Sequence, residues 1–522
     1  MTTPGQPSES VSRYFKPVRG TRLSSLPVGA TLQQRVLALE EEASKLSLLL
    51  EMSQFLSSEK ELDAVMGSIV DHTTRIMNCE RSSVLLMDQQ KNELYALVAQ
   101  GLDVKELRFS ADAGIAGHVV KHGVGLNVPD AYKDERFNQA VDKATGFHTV
   151  SILCMPLHNR RGEALGVIQC LNKKDSSGQP VTFTPQDEIV LSAVAAQAAV
   201  YLDNAILRHK MDVLFEAFVE ATARSIDERD PCTSGHSRRV MLYALNLARA
   251  VHETKLPPLA GVSYTRERLR QLRYAALLHD VGKIGVREHI LCKAARLAPA
   301  SLEVVRQRLV ALRERSRADA LTSTPANADT LTEHASRCGE LDAAMLLIEK
   351  VNAALFLPDP EADALKALLG KDWLTEDEFT HLSVRRGNLT DAEWIDMRSH
   401  VEKTYRILHR IPWPPELQAV AEIAYSHHEK RDGSGYPRKL KQDEIHLDGQ
   451  ILCIADIYDA LTASDRPYKK AIPHDRTRQI LIEEEAARGK IIPELVQLFF
   501  DAQCYNITQA SNQIGALAQN PL

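Results

Sequence analysis

Histidines and aspartates spaced far apart along this chain constrain its fold more than any other feature. They occur in five short stretches. "DPCTSGHSRRV" holds His236, "LLHDVGKIGV" holds His279, Asp280 and Lys283, and "MRSHVEKTYRIL" holds His400. "HHEKRDGSGYP" opens on His427 and His428, and "CIADIYDALTASDRPYKK" carries Asp456, Asp459, Arg466 and Lys469. Imidazoles and carboxylates tens of residues apart do not meet by local geometry. They meet when each sits on its own helix of a bundle and projects inward. Taken singly, each stretch has a plainer explanation. A lone His400 on a helix fits a surface or core position, and a helix C-terminus would account for one of the two adjacent histidines. The pair His279-Asp280 after the apolar "YAALL" is harder to explain this way, because Asp is seldom buried unless paired or metal-bound. The five stretches together call for one shared site.

Bulk properties set the frame. At 522 residues the chain is too long for a single core, and roughly 100–200 residues per domain gives two or three domains. A charged fraction of 25% and a net charge of -6 leave no basic excess for polymeric DNA or RNA or for an anionic membrane. The eight cysteines contain no C-x-x-C pair, and "MTTPGQPSESVSRYFKPVRG" has no apolar signal core, so reduced thiols and a cytoplasmic location are expected. "IVLSAVAAQAAVYLDNAIL" is Ala-rich and includes Gln197, Asp203 and Asn204, which reads as a packed helix and not a membrane span.

Residues 1–30 lack periodicity and are expected to be disordered. Over 31–55, Leu32, Val36, Leu39, Ala43, Leu46 and Leu50 form a stripe that fits either a self-pairing coiled coil or an amphipathic helix docked on its own domain. Residues 56–205 alternate helix and strand patterns, an α+β arrangement. Their order and lengths resemble a GAF domain, a sensory module with an antiparallel sheet flanked by helices. Asn172, Lys173, Phe183, Asp187 and Glu188 match the spacing of the NKFDE motif of cyclic-nucleotide-binding GAF domains. The resemblance implies a Lys173–Asp187 pair and a cyclic nucleotide or other small ligand. A strand end, turn and helix start without a ligand fits the same residues. From Pro185 a helix with Leu191, Ala195, Ala198, Leu202 and Ala205 on one stripe continues through a connecting segment, 206–224, with no Pro or Gly before Pro231. It suits a homodimer that transmits helix movement, or a rigid spacer.

Residues 225–510 are helical in pattern, with a loosened stretch at 297–386 that reads as an inserted helical subdomain; 511–522 form a tail. "HDVGK", "DGSGYP" and the flanking "GHSRRV" and "DALTASDRPYK" resemble, in order, the motifs of the HD-GYP family, bacterial phosphodiesterases of the HD superfamily that hydrolyse cyclic di-GMP. The expected architecture is therefore multidomain: an α+β GAF sensor joined by a long helix to an all-α HD-GYP domain. Carried over by position, the resemblance implies metal ligands at His236, His279, Asp280, His400, His427, His428 and Asp456, with Asp280 shared by two metals. Asp280 and Lys283 are the expected catalytic residues. Lys283, Arg466, Lys469, Tyr436 and Gly435 are expected at the substrate.

Two divalent ions about 3.5–4 Å apart generate a nucleophile from water and stabilise phosphate charge. A His and carboxylate set favours iron or manganese. The Gly-rich "DGSGYP" loop allows close backbone approach to a ligand, or to a partner such as a diguanylate cyclase domain. Three departures from the family pattern stand out: Cys232 where some members have a third-metal glutamate, "ILCKAARLAP" in place of a Pro-Gly turn, and one extra residue in "DALTASDRPYK". The leading expectation is hydrolysis of cyclic di-GMP to linear pGpG, with or without a second cut to GMP. A silent cyclic-dinucleotide receptor, or an HD phosphohydrolase acting on another nucleotide, fits the same motifs.

Overall fold

Strict alternation along two long strands builds the first unit. In β1 (Cys79–Asp88), Val84 and Leu86 face one apolar cluster and Leu85 the other; in β6 (Ala164–Lys174), Ile168 and Cys170 face the first and Val167 the second. A strand apolar on both faces belongs in the middle of a covered sheet. The computed structural model describes residues 32–59, 61–96, 107–139, 142–143, 146–229, 235–322, 328–463 and 471–507. The readings of 1–30 and 511–522, and those at Cys232, Arg466 and Lys469, fall outside them.

With β2 (Glu93–Ala96), β3 (Leu107–Ser110), β4 (Leu126–Val128), β5 (Ile152–His158) and β7 (Pro180–Val181), the sheet runs β3-β2-β1-β6-β5-β4 and β7 pairs with β6. Every pairing is antiparallel. β1 and β6 pack so closely that a Cβ on Gly166 would lie 1.9 Å from the Leu85 carbonyl oxygen, so no larger residue fits there. One face is covered by α1 (Leu32–Ser58), α2 (Leu62–Met77) and the start of α4 (Pro185–Arg229), the other by α3 (Gly114–His122).

The two helical stripes read from the sequence have different fates. On α1, Leu32, Val36, Leu46 and Leu50 are exposed, while Met52 and Leu56 dock into the core. On α4, the stripe Leu191, Ala195, Ala198, Leu202 and Ala205 is buried in the unit's own core and is no seam for a second chain. The same helix is long and apolar enough by composition to cross a membrane, yet that stripe is packed against the sheet.

The chain divides into two compact units at Leu214/Phe215. The second is a helical assembly: α5 (His236–Glu253), α6 (Arg266–Leu278), α7 (Glu288–Leu291), α8 (Pro299–Thr322), α9 (Ala328–Ala353), α10 (Asp359–Gly370), α11 (Glu376–Leu382), α12 (Asp391–Leu408), α13 (Val420–Tyr425), α14 (Leu447–Thr462), α15 (His474–Gln479) and α16 (Pro493–Asp501). Its main core joins α5, α6, α13, α14 and α16 with Val219, Ala223 and Ile226 of α4. Helices α8 to α11 have a separate core that includes Val305, Leu309, Ile348, Leu365 and Trp373. The ends of this segment are fastened by Arg296, which is fully buried and donates to the carbonyls of Val351, Ala354 and Val384. A guanidinium needs several acceptors to be buried, and these three carbonyls provide them.

Candidate metal centre

Helix ends place the histidines. His236 is the first residue of α5, after Gly235 in the left-handed conformation (φ 68°). α6 stops at Leu278, so His279 caps it and Asp280 leads into a tight turn, Val281–Gly285. His400 lies within α12; His427 and His428 follow α13; Asp456 and Asp459 lie one turn apart on α14. The turn and α12 are in direct contact. A Cβ on Gly282 would lie 2.0 Å from the His400 carbonyl oxygen, and Thr404 Oγ1 donates to the His279 carbonyl (2.9 Å) and accepts from Gly282 N–H (2.9 Å).

All seven residues expected as ligands converge. Two groups of three have ligand atoms within 4.8 Å of one another: His236, His279 and Asp280, and His400, His427 and His428. Asp280 lies between them, with Oδ2 3.3 Å from His279 Nε2 and Oδ1 3.3 Å from His400 Nε2. Asp456 Oδ1 is 3.3 Å from His236 Nε2, and its Oδ2 is 3.9 Å from His428 Nδ1. Lys283 Nζ is 2.9 Å from Asp280 Oδ2.

Three rings are set by the same device. The Nδ1–H groups of His279, His400 and His427 donate to the carbonyls of Ala276 (2.8 Å), Met397 (2.6 Å) and Ala424 (2.5 Å). A carbonyl only accepts, so Nδ1 carries a proton in each ring and, whenever the ring is neutral, Nε2 has the lone pair. The Nε2 atoms of His400 and His427 are buried with no hydrogen-bond partner among the described residues. Buried polar atoms are normally satisfied, so two unsatisfied lone pairs side by side fit a group that ligates them.

Charge divides the centre. Burial, reinforced by His279, lowers the His427 pKa to about 3; burial and neighbouring His427 hold His428 low as well. Burial lowers His400 more than Asp280 raises it. On the other side, burial opposes a charge on His236, but hydrogen bonds to Asp456 and Asp459 outweigh it and raise the pKa to about 9. Burial would also push Asp280 up, yet Lys283 and His279 hold it well below the usual carboxylate range. Neutral imidazoles and ionised carboxylates are the forms that bind a divalent cation, so His400, His427, His428, Asp280 and Asp456 stand ready, whereas His236 and His279, whose pKa the neighbouring carboxylates raise against burial, must give up a proton to ligate.

Residues given no role from the sequence complete the arrangement. Asp459, almost fully buried, accepts from His236 Nδ1 (2.7 Å) and from Arg239 Nε (2.7 Å) and Nη2 (2.9 Å). Its signal was its position three residues after Asp456 on one helix face. Glu429, also buried, accepts from the N–H groups of Arg438 (2.7 Å) and Leu440 (3.0 Å) and so secures the glycine-rich loop. Gly435 contacts its own loop: a Cβ there would lie 2.3 Å from Lys430 N. The Tyr436 ring centre is 4.8 Å from that of His428.

The motif in the first unit is fully engaged. Asn172 (φ 55°, a conformation Asn tolerates) accepts from Val150 N–H (2.7 Å) and donates to Glu80 (3.0 Å) and to the His148 carbonyl (2.8 Å). Lys173 pairs with Asp187, which also accepts from Thr184 N–H and Oγ1, both at 2.7 Å. Phe183 is in the core, and Glu188 accepts from Asn127 (2.9 Å).

Comparison with known proteins agrees with these two units. A GAF domain model matches residues 61–202, and two HD domain models match 233–336 and 375–490. The chain is similar to a probable 3',5'-cyclic phosphodiesterase of Caenorhabditis elegans (35% identity, 29% of this chain, 21% of that protein). It is also similar to a dual 3',5'-cyclic-AMP and -GMP phosphodiesterase 11A of Takifugu rubripes (33%, 32% and 19%). It thus spans about a fifth of the length of these curated relatives. Among solved structures it is similar to the GAF domain of an Acinetobacter phosphoenolpyruvate-protein phosphotransferase (22% identity, 32% of this chain, 98% of that one, TM-score 0.28). A GAF domain/HD domain protein from Geobacter sulfurreducens gives 14% identity over 29% of this chain and 98% of that one, TM-score 0.25. The matches to the family models identify the chain as a GAF domain followed by an HD domain.

Proposed function

We propose that the second unit is a metal-dependent phosphodiesterase that opens cyclic di-GMP to linear pGpG, with or without a second cut to GMP, under control of the GAF domain. The observation that carries this reading is the pair of unpartnered Nε2 atoms on His400 and His427, opposite a second triad across Asp280. His236, His279, Asp280 and Asp456 would hold one divalent ion, and Asp280, His400, His427 and His428 a second; iron or manganese suits this nitrogen and oxygen set. Such ions supply Lewis acidity toward water and phosphate oxygens.

The chain's own groups do the remaining work. Asp280, kept ionised by Lys283 and His279, presents one oxygen to each triad. Lys283, only 15% exposed and fixed on Asp280, places a positive charge at the rim where a phosphate would bind. The Nδ1 donations to backbone carbonyls keep the rings oriented, so little reorganisation is needed during reaction. Arg466 and Lys469 are proposed as further phosphate contacts, and Tyr436 as a contact to the nucleotide.

For the GAF domain, the relatives' names make a 3',5'-cyclic nucleotide the first ligand to test. A cytoplasmic homodimer, with a diguanylate cyclase domain as partner at the glycine-rich loop, completes the proposal. The test is product analysis with protein purified without oxygen. Wild type is expected to give linear pGpG, and His279→Ala with Asp280→Ala to give none. Tight binding of cyclic di-GMP without product from metal-loaded wild type would make the protein a receptor instead.

A further inference from the structure

Three successive contacts lead away from the candidate centre toward solvent. His428, 27% exposed at its side chain, stacks near Tyr436, 4.8 Å between ring centres. The Arg398 guanidinium lies 5.0 Å from the centre of the Tyr436 ring and 5.2 Å from that of Trp394. Trp394 and Arg398 are four residues apart on α12, the helix that carries His400, whereas Tyr436 comes from the separate glycine-rich loop held by Glu429. Two elements thus place a cation between two aromatic rings at the edge of the site.

The apolar part of this arrangement is open to water. Trp394 is 45% exposed while Trp373 is 4% exposed, and Ile395 beside it is 72% exposed. An aromatic face open to water beside a candidate site is accessible to a ligand. Arg398 is exposed and forms no salt bridge to a carboxylate among the described residues. A guanidinium stacked between rings loses little entropy when it binds, and its N–H groups stay free for two parallel hydrogen bonds to a phosphate. The Trp394 ring offers a face on which a base can stack.

We propose that Trp394, Arg398 and Tyr436 form a nucleotide-binding platform, in which Arg398 grips a phosphate and Trp394 stacks a purine base, so that the platform selects nucleotide diesters over simple ones. The proposal deepens the phosphodiesterase reading and rests on it for the identity of the nucleotide.

Trp394 is the most exposed of the tryptophans and provides its own signal. The probe is the non-hydrolysable phosphorothioate analogue of cyclic di-GMP, titrated against the full chain while tryptophan fluorescence is read. The expected result is saturable quenching in wild type, loss of that quenching in Trp394→Phe, and a Kd about tenfold higher in Arg398→Gln, with Arg398→Lys between. Metal content should be equal in all three variants, showing that the centre is intact. Absence of quenching in wild type, or an unchanged Kd in Arg398→Gln, overturns the platform. Hydrolysis of bis(p-nitrophenyl) phosphate by wild type separates the two ideas. Turnover of that simple diester with no platform effect removes the platform alone, and absence of both metal and turnover removes the phosphodiesterase reading with it.

Discussion

The two units bury polar motifs in opposite ways. In the first, Asn172, Lys173, Asp187 and Glu188 each find partners within the protein, so the motif acts as a latch between β6, the following turn and the start of α4. In the second, His400 and His427 are buried but leave their Nε2 atoms without a hydrogen-bond partner among the described residues, with Asp280 beside them. Burial is similar and satisfaction is not. A satisfied buried motif stabilises a fold, and an unsatisfied one has kept bonding capacity for something the chain does not supply. Motif matching alone does not draw this distinction, because both motifs match a family pattern equally well.

Four experiments press on that contrast. The largest effect is expected at Asp280→Asn: with an oxygen facing each triad, its loss should reduce turnover by more than the roughly 10–100-fold typical of losing an outer partner of a metal ligand, and metal analysis should show depletion. Asp459→Asn comes next. It leaves every proposed ligand in place but removes the carboxylate that orients His236, so metal affinity measured by equilibrium dialysis should fall roughly 10–100-fold. Lys173→Met should destabilise the first unit by about 1–2 kcal/mol in denaturant unfolding, since Asp187 stays buried with only Thr184 as partner, and should leave metal content unchanged. If metal content changed with it, the division between latch and centre would fail.

The smallest effect is acid sensitivity of the latch. Burial pushes Asp187 up, but Lys173 and Thr184 prevail and hold its pKa below the ordinary value. A depressed folded pKa contributes stability that is present above the unfolded value of about 3.9 and is lost as pH falls through the folded one. Melting of wild type should therefore show a loss below about pH 4 that Lys173→Met lacks in part; parallel curves for the two proteins would count against a latch.

Much of the centre was legible because few explanations exist for His279-Asp280 after an apolar run or for two adjacent histidines, and His236, His279, His427 and His428 lie at helix termini while His400 and Asp456 face inward from mid-helix. The strands were legible through alternation at Val84, Leu85 and Leu86. The stripe on α4 was legible as a packed helix but not in what it packs against, because apolar residues at steps of three and four look the same whether they meet a second chain or the helix's own sheet. Asp459 and Arg239 were illegible as a pair because they are joined only when α5 and α14 pack, far apart in sequence. The platform of Trp394, Arg398 and Tyr436 likewise needs α12 beside the glycine-rich loop, a contact with no local signal.

The most direct test of the central claim is metal stoichiometry on protein purified without oxygen, for wild type, His236→Ala and His427→Ala. Two groups of three ligand atoms with Asp280 between them, and two lone pairs without partners among the described residues, predict about two divalent ions per chain in wild type and a loss of about one in each variant. A wild type without tightly bound metal, or variants that bind as much as wild type, would contradict it.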